Sequence, residues 1–261
     1  FWLKLVLVMA AAVEQAPAAE DRPAPQNGGV RAPEKLIAYV VHDDPKIKVI
    51  PDFVTDEEIE HLLALAEGKW RPSTVGTGAA DASADGFKNV LSKNRTSSSL
   101  MLWSGHDEVV TAVEYRVAAA AGLPVSHVER LNMLKYEPGQ FFKQHHDGGF
   151  RPMTVFLYLN DPGGEGETVF PALGIKVKPR KGMAVVWPNA TPDGQMDMRM
   201  VHEGKPPSQG VKYAVNCFVN ESPVRDPTQK ASDVLEDSNN LVGNLDKLTL
   251  ESCLGGNVVE G

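Results

Sequence analysis

Read as extended chain, the stretch Phe141-Phe142-Lys143-Gln144-His145-His146-Asp147 places the side chains of His145 and Asp147 on one face and that of His146 on the other, because strand side chains alternate. A bound metal needs convergent ligands, so the pair to weigh is His145 with Asp147. A further histidine lies 55 residues beyond Asp147, in Arg199-Met200-Val201-His202-Glu203-Gly204.

Around this stretch the pattern is one of short β-type runs separated by Gly and Pro: Leu131–Tyr136, Thr154–Asn160, Ile175–Lys178, Met183–Trp187 and Tyr213–Val219. Two helices precede them. Thr55 and Glu58 form a capping-box pair that opens the first, Ile59, Leu62, Leu63 and Ala66 give its apolar stripe, and Gly68 ends it. The second is expected from about Asp107 to Ala121, with Val109, Val113 and Val117 inward and Gly122 and Pro124 as stops. Helices followed by many short strands predict an α+β fold, with helices backing an antiparallel sandwich or barrel.

Two imidazoles and one carboxylate on one face of an octahedron leave three adjacent positions open, the donor set of non-heme Fe(II) oxygenases. A His-x-Asp pair alone is a weak signal. It is strengthened by Gly210-Val211-Lys212-Tyr213. Lys212 shares a strand face with Ala214, Asn216 and Phe218, and Tyr213, Val215, Cys217 and Val219 occupy the other. Both faces are largely apolar, and a buried lysine is expensive without an anion. The distal carboxylate of 2-oxoglutarate would supply one; the alternative is a lysine that snorkels at a strand end.

Bulk properties narrow the rest. The chain has 261 residues and net charge -8, which argues against a nucleic-acid binder, since phosphate neutralisation needs a basic face. Cys217 and Cys253 are far apart, so neither a disulfide framework nor a cysteine zinc site is indicated. Residues 1–34 read as a truncated signal or membrane anchor, apolar from Phe1 to Val13 except at Lys4, and then a linker. Residues 35–220 are the expected folded domain. Residues 221–261 carry eight acidic and three basic residues and are expected to be a mostly disordered acidic tail. Sequons occur at Asn94, Asn189 and Asn220.

Over roughly residues 47–220 the chain resembles the catalytic domain of prolyl 4-hydroxylases, within the Fe(II)/2-oxoglutarate dioxygenases. The matching segments are Ser92–Ser97, Glu129–Tyr136, Gly139–Phe142, His145-x-Asp147, Arg151 with Thr154–Asn160, Glu167–Phe170, Val177-x-Pro179-x-Lys181-Gly182, His202-x-Gly204-x-Pro206 and Gly210-x-Lys212-Tyr213. The resemblance implies a double-stranded β-helix of jelly-roll or cupin type. It also implies iron held by His145, Asp147 and His202, with the distal carboxylate of 2-oxoglutarate on Lys212. Tyr136 and Thr168 are implied to assist the co-substrate, the alternative being core packing with a satisfied hydroxyl. Arg95, Arg151 and Trp187 are implied on the substrate side, Arg95 having a structural ion pair as its alternative.

The activity implied is hydroxylation of peptidyl proline with O2 and 2-oxoglutarate, releasing succinate and CO2, with ascorbate as reductant and a secretory or endoplasmic-reticulum setting. The Asp147 carboxylate favours hydroxylation, since halogenating relatives lack it. Other readings are the same chemistry on another residue or a small molecule, or a silent peptide-binding β-helix. The layout is similar to the short plant and algal type. Departures are the longer turn Gly163-Gly164-Glu165-Gly166-Glu167-Thr168, Trp187 where Phe is usual, and Arg199-Met200-Val201 before the distal histidine.

Overall fold

The computed structural model describes residues 36–77, 88–225, 242–245 and 258–260. The expected signal or anchor and linker at 1–34 lie outside them. No helix among the described residues is long and apolar enough to cross a membrane.

Strands β1 (Ile37–His42) and β2 (Ile47–Ile50) precede helix α1 (Asp56–Ala66). Then come β3 (Arg71–Pro72), β4 (Thr74–Thr77), β5 (Lys88–Leu91), β6 (Ser98–Met101) and helix α2 (Glu108–Ala121). The β-rich part follows: β7 (Asn132–Tyr136), β8 (Phe142–His145), β9 (Met153–Tyr158), β10 (Thr168–Phe170), β11 (Ile175–Val177) and β12 (Ala184–Pro188). It ends with β13 (His202–Gly204), β14 (Lys212–Val219), β15 (Val242–Leu245) and β16 (Val259–Glu260).

The Thr55 hydroxyl accepts from the Glu58 amide at 3.2 Å and a Glu58 carboxylate oxygen accepts from the Thr55 amide at 2.9 Å, closing the capping box that starts α1. Asp107 caps α2 through Val110 N–H at 2.9 Å, and Gly122, at φ 70°, ends it in the left-handed conformation. The inward stripe of α2 is Val110, Val113 and Val117, not the expected Val109, which is only half-buried. Glu114 is buried on the same side, so the inward face is centred further round the helix than a stripe of 109, 113 and 117 assumes. Arg116 on α2 forks onto Glu58 on α1 at 2.6 and 2.9 Å, and both are buried.

Among the described residues the strands form a nine-stranded sheet, β15-β1-β2-β12-β9-β14-β7-β6-β3, a five-stranded sheet, β16-β11-β10-β13-β8, and the hairpin β4-β5. Alternation along β14 decides what the large sheet does with its two faces. Val215, Cys217 and Val219, with Val155, Leu157, Ala184 and Val186, share one core with Ile59, Leu62, Val110, Val113 and Val117 of the helices. Ala214 on the opposite face, with Phe156, Tyr158 and Trp187, shares a second core with Phe170, Ile175 and Val177 of the small sheet. The space between the two sheets is where polar side chains become conspicuous.

The C-terminal stretch differs from the expected disordered tail. β15 pairs in parallel with β1, and β16 pairs antiparallel with β11, so residues assigned to a solvated tail finish one edge of each sheet. An open edge offers unpaired N–H and C=O groups. Val258 and Val259 add fully or nearly fully buried side chains to the second core. The rest of 226–261 lies outside the described residues.

Candidate metal centre

β8 and β13 are neighbours in the small sheet, and His145 and His202 stand opposite one another in register. Asp147 follows two residues after His145, beyond the strand end. His145 Nε2 lies 3.6 Å from Asp147 Oδ1 and His202 Nε2 lies 3.7 Å from Oδ2. One ligand atom from each of the three falls within 4.8 Å of the others, a spacing one ion can bridge.

Each imidazole is aimed by its other nitrogen. His145 Nδ1–H donates to the Lys143 carbonyl at 2.8 Å, and His202 Nδ1–H to the Met200 carbonyl at 2.9 Å. Since a carbonyl only accepts, these bonds place the proton on Nδ1 and leave the Nε2 lone pair facing Asp147, the usual second contact of a metal-binding histidine. Burial, then the neighbouring His202, pull the His145 pKa down to about 3, so the ring is neutral and ready to ligate. Burial alone would raise the Asp147 carboxyl, but His202, His145 and the Thr154 hydroxyl together hold it below its ordinary value. His146 uses both nitrogens elsewhere: Nε2–H donates to the Asp197 carbonyl at 3.1 Å, and Nδ1 accepts from the Gly148 amide at 2.9 Å.

Four residues support this group that sequence reading did not single out. Thr154 donates its hydroxyl hydrogen to Asp147 Oδ2 at 2.8 Å and accepts from Asn189 Nδ2 at 2.8 Å. Asn189 Oδ1 in turn accepts from Trp187 Nε1 at 3.1 Å. Phe142 stacks on His145 with centroids 3.5 Å apart, and Phe170 packs beside His202 at 5.5 Å. The available signal was a polar side chain on an otherwise apolar buried face, as at Thr154 between Phe156 and the strand end.

Lys212 comes from the large sheet, across the second core. It is 1% exposed, its amine donates to the Gly166 carbonyl at 2.7 Å, and it lies 5.3–5.4 Å from the centroids of Tyr136, Phe156 and Tyr158. Among the described residues it has no carboxylate within ion-pair distance, and burial pulls its pKa down to about 7, opposed weakly by Glu167. A buried amine with a carbonyl and three rings for company lacks an anion, which fits the distal carboxylate of an oxo-acid. Gly166 has φ +126°, a conformation suited to glycine, and a Cβ there would sit 3.5 Å from Lys212 Cδ.

The other expected residues are placed as follows. Tyr136 stands opposite Lys212 in register and is nearly fully buried, with its hydroxyl pKa raised chiefly by burial. Thr168 is buried, and its hydroxyl accepts from Tyr158 at 2.7 Å. Arg95 donates to the Thr74 carbonyl at 3.0 Å and the Ser97 hydroxyl at 3.2 Å, with its guanidinium 4.6 Å over the ring of Phe142. It is thus next to the metal group through Phe142, and these two hydrogen bonds go to a carbonyl and a hydroxyl rather than to an acid.

Two placements depart from the substrate-side expectation. Arg151 forks onto Glu129 at 2.7 and 2.8 Å, donates to the Asp147 carbonyl at 3.1 Å and lies 3.8 Å over Phe218. Its guanidinium thus links Glu129 to the Asp147 backbone. Trp187 is 0% exposed and edge-on to His202 at 4.9 Å, so it is a wall behind the distal histidine. The sequons also separate: Asn189 is fully buried and hydrogen-bonded, whereas Asn94 is exposed.

Comparison with known proteins agrees with this geometry. A family model described as the 2OG-Fe(II) oxygenase superfamily matches residues 131–220, which hold His145, Asp147, His202 and Lys212. Prolyl 4-hydroxylase 5 of Arabidopsis thaliana is 35% identical over 204 residues, covering 67% of this chain and 68% of the relative. Prolyl 4-hydroxylase 1 of the same plant is 35% identical over 209 residues, covering 70% and 71%. The 2OG complex of viral collagen prolyl hydroxylase from Paramecium Bursaria Chlorella virus-1 superposes with a TM-score of 0.53 at 24% identity, covering 66% of this chain and 94% of that one. That likeness shows a shared fold, the double-stranded β-helix. On the strength of the curated relatives, this chain belongs to the prolyl 4-hydroxylase family of 2OG-Fe(II) oxygenases.

Proposed function

We propose that the protein hydroxylates proline within a peptide to 4-hydroxyproline, using Fe(II), 2-oxoglutarate and O2, with His145, Asp147 and His202 as iron ligands and Lys212 as the anchor of the oxo-acid. The observation that carries this reading is Lys212, an amine buried between two sheets without a carboxylate partner and on the far side of the second core from the metal group. When bound, iron and 2-oxoglutarate supply oxidative decarboxylation to succinate and CO2, coupled to insertion of one oxygen atom into a substrate C–H bond.

The chain's own part is position and dryness. Asp147 is kept ionised and oriented by Thr154, while Trp187 and Phe170 wall off His202 from solvent. Tyr136, opposite Lys212, lines the oxo-acid end of the pocket, and Arg95 with Phe142 flanks the side open to a peptide. Helices α1 and α2 serve as the backing of the large sheet, a role supported by the core they share with β9, β12 and β14. Residues 35–220 carry the oxygenase machinery, and the acidic stretch beyond them adds the edge strands β15 and β16. Proline as the target is supported by the curated relatives, which are named prolyl 4-hydroxylases. Ascorbate as reductant and passage through the endoplasmic reticulum belong to the same proposal, the latter supported by the stretch Phe1–Val13, apolar except at Lys4.

The test is purified protein with Fe(II), ascorbate and 2-oxoglutarate, offered polyproline, collagen-like and arabinogalactan-like peptides. Succinate release with a gain of one oxygen on proline is expected. Succinate only with substrates that lack proline would overturn the assignment.

A further inference from the structure

We infer that Asn132 and Asn216 form a peptide subsite, accepting backbone N–H groups from the residues that flank the target proline. The inference rests on the proposed prolyl hydroxylase reading and specifies how that site grips its substrate.

Asn132 on β7 and Asn216 on β14 stand directly opposite one another in register, close enough for the two side chains to act together. They are 8% and 6% exposed, and the Oδ1 atom of each is buried without a hydrogen-bond partner. Leaving a buried acceptor unmet is unfavourable, and a pair of them on adjacent strands points to a donor that arrives from outside.

Their face of the sheet is the site face. By alternation Asn216 sits with Lys212 and Ala214, and Asn132 with Leu134 and Tyr136, while Asn216 also stands in register with Phe156. Leu134, Tyr136, Phe156 and Ala214 all belong to the core between the sheets. Further along, Asn132 stands opposite Met101, and the same face continues to Trp103, because Leu102 between them turns into the other core. Met101 is 48% and Trp103 62% exposed, with the Arg130 guanidinium 3.5 Å over the Trp103 ring. The amide pair therefore lies between the buried oxo-acid end and an exposed apolar rim.

Chemistry selects the occupant. Fe(II), O2 and an ionised oxo-acid bring no hydrogen-bond donor, whereas a peptide brings backbone N–H groups. Proline has none of its own, so the donor must come from a neighbouring residue such as glycine. The apolar rim of Met101 and Trp103 suits the extended, ring-bearing face of a proline-rich chain. Specificity then follows: the site should prefer proline beside an N–H-bearing residue over an unbroken run of prolines.

The experiment compares three peptides of equal length with the full chain: Pro-Pro-Gly repeats, the same repeats with N-methylglycine replacing glycine, and polyproline. Steady-state KM and calorimetric binding to the Mn(II)- and 2-oxoglutarate-loaded protein are both read. The glycine peptide is expected to bind about tenfold tighter than the N-methylated one. Asn132→Leu and Asn216→Leu are each expected to narrow that ratio, with circular dichroism as the folding control. Equal affinity for the glycine and N-methylglycine peptides overturns the subsite even if neither variant folds, and so does an unchanged ratio in folded variants. Hydroxylated proline accompanied by either result leaves the prolyl reading standing and removes only the subsite. Absence of oxygen on proline in all three peptides removes both.

Discussion

The hydroxyl of Thr154 lies 2.8 Å from Oδ2 of Asp147 and donates its hydrogen to it, in a strand position with 0% exposure. That oxygen is also the one nearer His202, at 3.7 Å. The bond therefore selects the rotation of the carboxylate that closes the three-residue group, and Asn189 in turn fixes the Thr154 oxygen.

Thr154→Val keeps the shape and removes the bond. It is expected to weaken Mn(II) or Fe(II) binding by about 10–100-fold, the usual effect of losing a partner behind a metal ligand. Calorimetry of metal uptake measures this, and wild-type affinity would show that Asp147 is oriented without Thr154.

Lys212 makes 2-oxoglutarate binding depend on pH. Its folded-state pKa is lowered to about 7 by burial, below the unfolded value of about 10.4. Between these values the unfolded chain holds a proton that the folded chain lacks. The stability of the ligand-free protein should then rise with pH across that window and be lost as pH falls to about 7. The oxo-acid carboxylate prefers the ammonium form, so its affinity should fall roughly tenfold per pH unit above the folded pKa. Lys212→Arg, always charged, should flatten the profile. A Kd for 2-oxoglutarate that is level from pH 6 to 9 in the wild type would count against this role.

The neighbouring histidines should behave oppositely. His145→Ala and His202→Ala are expected to abolish metal uptake and turnover. His146→Ala, whose ring nitrogens bond to Asp197 and Gly148, should retain metal binding within a few-fold. Equal loss in the His145 and His146 variants would contradict the alternation that separates them.

Arg116 and Glu58 tie the two helices together in a buried fork. Arg116→Met leaves the Glu58 carboxylate buried and unpaired, and should cost about 3–5 kcal/mol in urea unfolding. A loss below about 1 kcal/mol would mean that Glu58 finds water instead.

The pattern of residues was legible wherever a local rule was enough. Thr55 with Glu58, and Asp107 with Gly122, mark helix ends because capping is settled within a few residues. The inward stripe of α2 falls at Val110 rather than the expected Val109, because only the partner surface resolves which side of the helix faces the sheet. The substrate-side expectation for Arg151 and Trp187 rests on resemblance alone, since nothing local reveals that Glu129 pairs with one and that the other is enclosed. The C-terminal strands are not legible for a related reason. Two valines signal nothing until a sheet edge is available to pair them.

For the metal group itself, alternation applied to 141–147 selects His145 and Asp147 over His146, although the strand itself ends at His145 and Asp147 follows it. The residue types were enough to name a facial set of two imidazoles and a carboxylate. What only the tertiary structure decided is convergence. The register of β8 with β13 brings His202 opposite His145, and Thr154 turns Asp147 toward both. Long-range pairing and the packing of one sheet over another create these contacts, and neither is encoded in the spacing of residues along the chain.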